Sequence, residues 1–129
     1  MAQNAPVPTT CPCGSTLPRA DCCGRVIDTG SAATAEALMR SRFTAFTEGD
    51  TAHLLHTWHP STRPARLDLD PDLQWVRLEV LSRTGGGLLH AEGTVSFRAH
   101  FLTVNGPDVL VEDSRFTRFE GQWKYLAAR

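Results

Sequence analysis

From Leu89 to Phe101 the chain alternates without a break. Leu89, Ala91, Gly93, Val95, Phe97, Ala99 and Phe101 interleave with His90, Glu92, Thr94, Ser96, Arg98 and His100. A period of two puts one set of side chains on each face of an extended strand, so this segment reads as a strand with one apolar and one polar face. Residues 73–83, "LQWVRLEVLSR", repeat the pattern with Val76, Leu78 and Val80 on one face, and "TGGG" at 84–87 joins the two strands. Turns at "NGPD" (105–108) and "EGQ" (120–122) then divide the remainder into "VLVEDSRFTRF" and "WKYLA", which completes an antiparallel meander of four long strands. Gly93, inside the longest strand, is a candidate bulge or bend that would assist curvature.

The residues before the meander change period. In "ATAEALMRSRFTAFT" (33–47), Leu38, Met39, Phe43 and Phe46 recur at helical spacing, with Thr34 as N-cap and Gly49 just past the end. Asp50 caps a second, shorter helix, "TAHLLHTWH", which Pro60 closes. On that helix Leu54, Leu55 and Trp58 share a face, His53 and His56 project toward water, and His59 borders the core. A proline-rich connector, "PSTRPARLDLDPD", separates helices from strands. Helices grouped ahead of a run of strands predict an α+β domain in which the helices cover one face of a curved antiparallel sheet.

A chain of 129 residues suits one domain and buries roughly two thirds of its unfolded surface, so a core forms without disulfides. The net charge of -1 carries no electrostatic footprint for nucleic acid or an anionic membrane. No apolar run approaches the roughly 18 residues that span a bilayer. The start, "MAQNAPVPTT", is small and polar without a basic or apolar leader segment, which predicts a flexible tail over 1–10 and a cytoplasmic protein.

All four cysteines fall in "CPCGSTLPRADCCG": Cys11, Cys13, Cys22 and Cys23. In a reducing compartment such a cluster points to metal or redox chemistry more than to structural disulfides. Adjacent Cys22 and Cys23 are poorly placed to bond each other, because adjacent Cα atoms lie about 3.8 Å apart and disulfides favour about 5.5 Å. Cross-loop disulfides and a thiol redox role remain admissible. A metal cage fits best: cysteines two apart can converge on one centre, and the loop containing Gly14, Ser15 and Pro18 can return the second pair. Four thiolates close the sphere of a structural zinc site, and iron is an admissible occupant.

The run "CPCGS…CCG" resembles a SEC-C motif, the small metal-binding module that ends the preprotein translocase motor and recurs in other bacterial proteins. Together with "ALMRSRFTAFTEGD", "TWHPSTRP", "EDSRF" and "GQWKYL", it resembles the YchJ-like family over nearly the whole chain. The resemblance implies Cys11, Cys13, Cys22 and Cys23 as metal ligands in a segment spanning 11–30. It also implies a nuclear transport factor 2-like (NTF2-like) domain over 31–129: a curved sheet wrapped by helices into a cone with a pocket. Sheet faces of that fold often pair, so a homodimer is among the implied states. Where the motif usually carries Gly-Ser-Gly and an aromatic residue with basic neighbours, this chain has Gly14-Ser15-Thr16 and Leu17-Pro18-Arg19.

A cone raises the question of a ligand. His59 and Arg63 in "WHPSTR", Arg98 and His100 on the long strand, and Glu112 and Ser114 on the next are the candidate pocket residues. His59 and Glu112 could exchange protons and Arg63 could hold an anion, but each has an ordinary reading as solvated face, local turn or ion pair. No convincing catalytic set stands out. The leading expectation is a metal-binding protein acting as a binding or adaptor module for a protein or small molecule; the rival is a small enzyme or small-molecule-binding protein using the pocket.

Overall fold

The computed structural model describes residues 10–129; the tail expected over 1–10 lies, apart from Thr10, outside the described residues. Three helices, α1 (Cys23–Thr29), α2 (Ala35–Glu48) and α3 (Thr51–His56), precede four strands, β1 (Gln74–Gly85), β2 (Glu92–Thr103), β3 (Gly106–Phe119) and β4 (Gln122–Ala128). The strands form an antiparallel meander in the order β1-β2-β3-β4. The α+β architecture expected from the period change is the one observed.

Helix α2 starts where its cap chemistry places it: the Thr34 side chain accepts from the Ala37 N–H, and Gly49 ends the helix. Asp50 caps α3 through the His53 N–H. That helix stops at His56, four residues short of Pro60, as the chain turns to pair with β4 and the His59 N–H donates to the Tyr125 carbonyl at 2.8 Å. Helix α1 carries no strong periodic signal, and the sequence pattern does not predict it.

Helix α2 lies across the sheet, touching β1, β2 and β4. Leu38 and Phe43 from the helix meet Val95, Phe97, Phe116 and Trp123 from the strands in one continuous core. Burying each such side chain contributes about 2 kcal/mol. The inner face of β2 is Gly93, Val95, Phe97 and Ala99, all buried, as the alternation requires.

Three details of the sheet depart from the pattern. The strand β2 begins at Glu92, because residues 86–91 fold into a loop that leaves Leu88 and Leu89 exposed. Arg118 holds that loop by donating to the carbonyls of Gly87, Leu88 and His90. Two register shifts fall in β1, between Trp75 and Arg77 and between Val80 and Ser82, and a third falls in the β3–β4 pairing between Arg115 and Phe116; the first turns Val76 outward while Trp75 packs on Phe43, Phe46 and Phe101. Gly93 is regularly paired, with Gly85 and Phe116. It is small because a Cβ there would stand 2.5 Å from the Gly86 backbone nitrogen.

The open edge of β4 is partly covered by the chain that leaves α3. Trp58 bridges Tyr125 in parallel, with the His59 N–H donating to the Tyr125 carbonyl and the Tyr125 N–H to the Thr57 carbonyl, both at 2.8 Å.

Candidate functional site

The four sulfurs converge. Thr10 bridges Pro18, and the Cys11 N–H donates to the Leu17 carbonyl at 2.9 Å, closing a tight knuckle around Cys13. A single 3₁₀ turn over Arg19–Asp21 then delivers Cys22 and Cys23 at the start of α1. Gly24 follows them because a Cβ there would press to 2.7 Å from the Arg19 carbonyl oxygen. The four cysteines are unpaired, and their Sγ atoms all lie within 4.8 Å of one another, with Cys13 and Cys22 3.7 Å apart. Metal–sulfur bonds of about 2.3 Å in a tetrahedron set sulfurs about 3.8 Å apart, so the donor set fits a metal ion held by four thiolates.

The thiols differ in proton affinity. The Cys23 thiol hydrogen bond, aided by Ser15, draws Cys13 down to about 4 against the opposing effect of burial. Cys23 is pushed up, first by that same contact and then by burial, and Cys22 is pushed up chiefly by burial. Cys13 ionises readily while Cys22 and Cys23 resist a second negative charge, which a divalent cation among them would neutralise.

The cage is part of the main core. Cys11, Cys13 and Cys23 are buried in one cluster with Leu38, Met39 and Leu78. Arg40 of α2 donates to the Cys13 carbonyl at 2.9 Å, and the Cys11 sulfur lies 3.7 Å from Thr44 Oγ1. Arg19, in the stretch that departs from the motif, forms a two-pronged ion pair with Glu48 at 2.6 and 2.7 Å.

A second feature is a cavity of about 140 Å³ between α2 and the inner face of the sheet. Glu112 and Ser114 line it, joined by a 2.6 Å hydrogen bond from the Ser114 hydroxyl to Glu112 Oε2. The other pocket candidates lie elsewhere. His59 closes a local turn, its Nδ1 accepting from the Ser61 N–H at 3.0 Å, and its ring packs on Phe119. Arg63 is exposed along a surface groove that it shares with Lys124. Arg98 is exposed on β2, and His100 donates to Glu79 at 2.6 Å, on the sheet face away from α2. His59, Arg63 and Glu112 therefore share no cavity, and the acid–base set built on them has no common site.

Three titratable side chains that the sequence patterns did not single out are buried. His53, expected to face water, is 5% exposed and meets Ser41 Oγ at 2.9 Å. Ser41 comes from a different helix, so the pattern within α3 could not reveal it. Lys124 is buried with its ammonium donating to the His56 carbonyl at 2.7 Å, at the end of α3. Arg42 lines the cavity, and burial lowers its pKa to about 10, leaving it a cation at neutral pH. That residue had a legible signal, since it falls between Met39 and Phe46 on the apolar stripe of α2.

Among the described residues, no helix is long and apolar enough to cross a membrane. A helix-covered antiparallel sheet enclosing a cavity, with a cysteine cage set into one end of its core, defines an NTF2-like α+β protein with a candidate metal centre. Residues 34–128 match the family described as "YchJ, middle NTF2-like domain". The chain belongs to this YchJ-like family, which appears among its relatives as UPF0225. A UPF0225 protein of Streptomyces coelicolor is 52% identical over 116 residues, 89% of this chain and 90% of that protein. Another, from Corynebacterium efficiens, is 50% identical over 117 residues, 89% of this chain and 88% of that protein. The solution structure of a SEC-C motif containing protein from Rhodopseudomonas palustris matches with a TM-score of 0.82 at 31% identity, covering 94% of this chain and 98% of that one. The crystal structure of a SEC-C motif containing protein from Psychrobacter arcticus matches with a TM-score of 0.76 at 28% identity, covering 92% and 80%.

Proposed function

We propose that the protein is a zinc-binding module in which Cys11, Cys13, Cys22 and Cys23 hold the ion in a closed structural site, while the NTF2-like domain does the binding. The carrying observation is that the four unpaired sulfurs lie within 4.8 Å of one another inside the core. Four thiolates leave no open coordination position, so the ion organises structure instead of activating water. Three of the sulfurs are buried against α2 and β1, so the ion would brace the helix that forms one wall of the cavity.

Elemental analysis of the full chain, purified under reducing conditions without added metal, tests this reading. The expected result is a single zinc per chain, removed only by a strong chelator and with loss of thermal stability. A folded, fully reduced chain free of zinc overturns it, and an iron signal with thiolate-to-iron absorption reassigns the ion.

A further inference from the structure

The cavity between α2 and the sheet contains a buried cation that, among the described residues, has no ion-pair partner. Arg42 is 4% exposed. Its Nη1 donates to the Leu54 carbonyl and to Thr57 Oγ1, both at 2.8 Å. The guanidinium carbon sits 5.1 Å from the Trp58 ring centre and 4.6 Å from that of Tyr125. The fork is therefore fixed in place by two bonds and two aromatic faces, which spares a ligand the cost of ordering it.

The other edge of the fork is free. Among the described residues, Nε and Nη2 of Arg42 have no hydrogen-bond acceptor, yet neither is among the polar atoms sealed from solvent. Arg42 lines this cavity. Among the described residues no carboxylate pairs with Arg42. Glu112 of β3 lines the same cavity and supports the Arg42 charge from beyond ion-pair distance, with one oxygen engaged by Ser114. A buried cation without a partner is costly, and a guanidinium edge with two parallel N–H groups matches a carboxylate.

The rest of the wall is apolar and aromatic: Phe43, Phe46, Trp75 and Phe97 surround the space. Its volume, about 140 Å³, is close to that of an engineered cavity of about 150 Å³ that admits benzene. Leu110 lines the cavity and is 39% exposed, which places it at the mouth.

We infer that this cavity binds a small aromatic monocarboxylate, with the ring among Phe43, Phe46, Trp75 and Phe97 and the carboxylate received by Nε and Nη2 of Arg42. The site is separate from the cysteine cage, and the inference stands whichever ion the cage holds.

Calorimetric titration of the full chain with benzoate and with benzamide, its uncharged isostere, tests the inference. Benzoate is expected to bind with a sub-millimolar dissociation constant and benzamide at least about tenfold more weakly. The Arg42 Nε–H resonance should shift on adding benzoate. Leu110→Trp, which fills the mouth without touching Arg42, should abolish the benzoate heat, and Arg42→Lys, which keeps the charge but loses the fork, should weaken binding at least about tenfold. Because Arg42 also carries the Leu54 and Thr57 bonds, its replacement can unfold the chain; the resonance shift and Leu110→Trp then decide. Equal binding of benzoate and benzamide, no saturable benzoate signal up to about 10 mM, or undiminished binding by Leu110→Trp overturns the inference.

Discussion

Arg40 of α2 donates to the main-chain carbonyl of Cys13 at 2.9 Å while its other edge pairs with Glu36 one turn earlier on the same helix. Glu36 in turn pairs with Arg83 of β1. A chain of charge-assisted contacts thus runs from the cysteine knuckle through the helix to the sheet. Arg40→Gln is expected to lower stability by about 1–2 kcal/mol, read in urea melts. It should also speed amide exchange in residues 11–17 more than in β2 and β3. Unchanged exchange in the knuckle would show that Arg40 does not fasten it.

The cysteines are not equivalent, because Cys13 and Cys23 are buried while Cys22 is half-buried. Serine at any of them would remove one of the four proposed donors, so metal content is expected to fall in every variant. Cys23→Ser additionally leaves a hydroxyl in the core and is expected to cost about 2 kcal/mol more than Cys22→Ser, seen as a lower melting temperature. If metal removal by chelator unfolds only residues 11–30 and leaves α2 protected against exchange, the cage is less integral to the core than its packing indicates.

His53 makes stability depend on pH. Burial holds its pKa at about 4, below the ordinary 6.5. The Ser41 hydroxyl donates to the Leu38 carbonyl at 2.7 Å, so the neutral ring donates its Nε2 proton to Ser41 Oγ. Below about pH 6.5 the unfolded chain takes up a proton that the folded chain refuses until about pH 4. Stability is therefore full above 6.5 and falls as pH drops through that window, by about 3 kcal/mol in total. Melting temperatures of wild type and His53→Gln measured from pH 7.5 to pH 4 should converge as pH falls; parallel curves would refute the assignment.

Gly93→Ala places a methyl group 2.5 Å from the Gly86 nitrogen and 2.6 Å from its Cα. Both are backbone atoms, so the strand ends must part. The expected cost is about 1–3 kcal/mol, with faster amide exchange at residues 85–93. A variant as stable as wild type would mean that the 86–91 loop yields freely despite the Arg118 clamp.

What the sequence determined by itself is local or set by spacing. Thr34, Gly49 and Asp50 mark helix ends, because capping is chemistry between residues a few positions apart. The alternation through Val95, Phe97 and Ala99 sets the inner face of β2, because strand geometry leaves adjacent side chains no other choice. The spacing of Cys11, Cys13, Cys22 and Cys23 already allowed four sulfurs to converge on one centre, as they do. Tertiary structure decided which polar groups go inside. His53 is buried because Ser41 reaches it from another helix, and Arg42 is buried because Leu54 and Thr57 accept from it. It also separated His59 and Arg63 from Glu112, and it merged the cage with the core. Burial of a polar side chain depends on partners distant in the chain, and neither helical nor strand periodicity carries information about where those partners will lie.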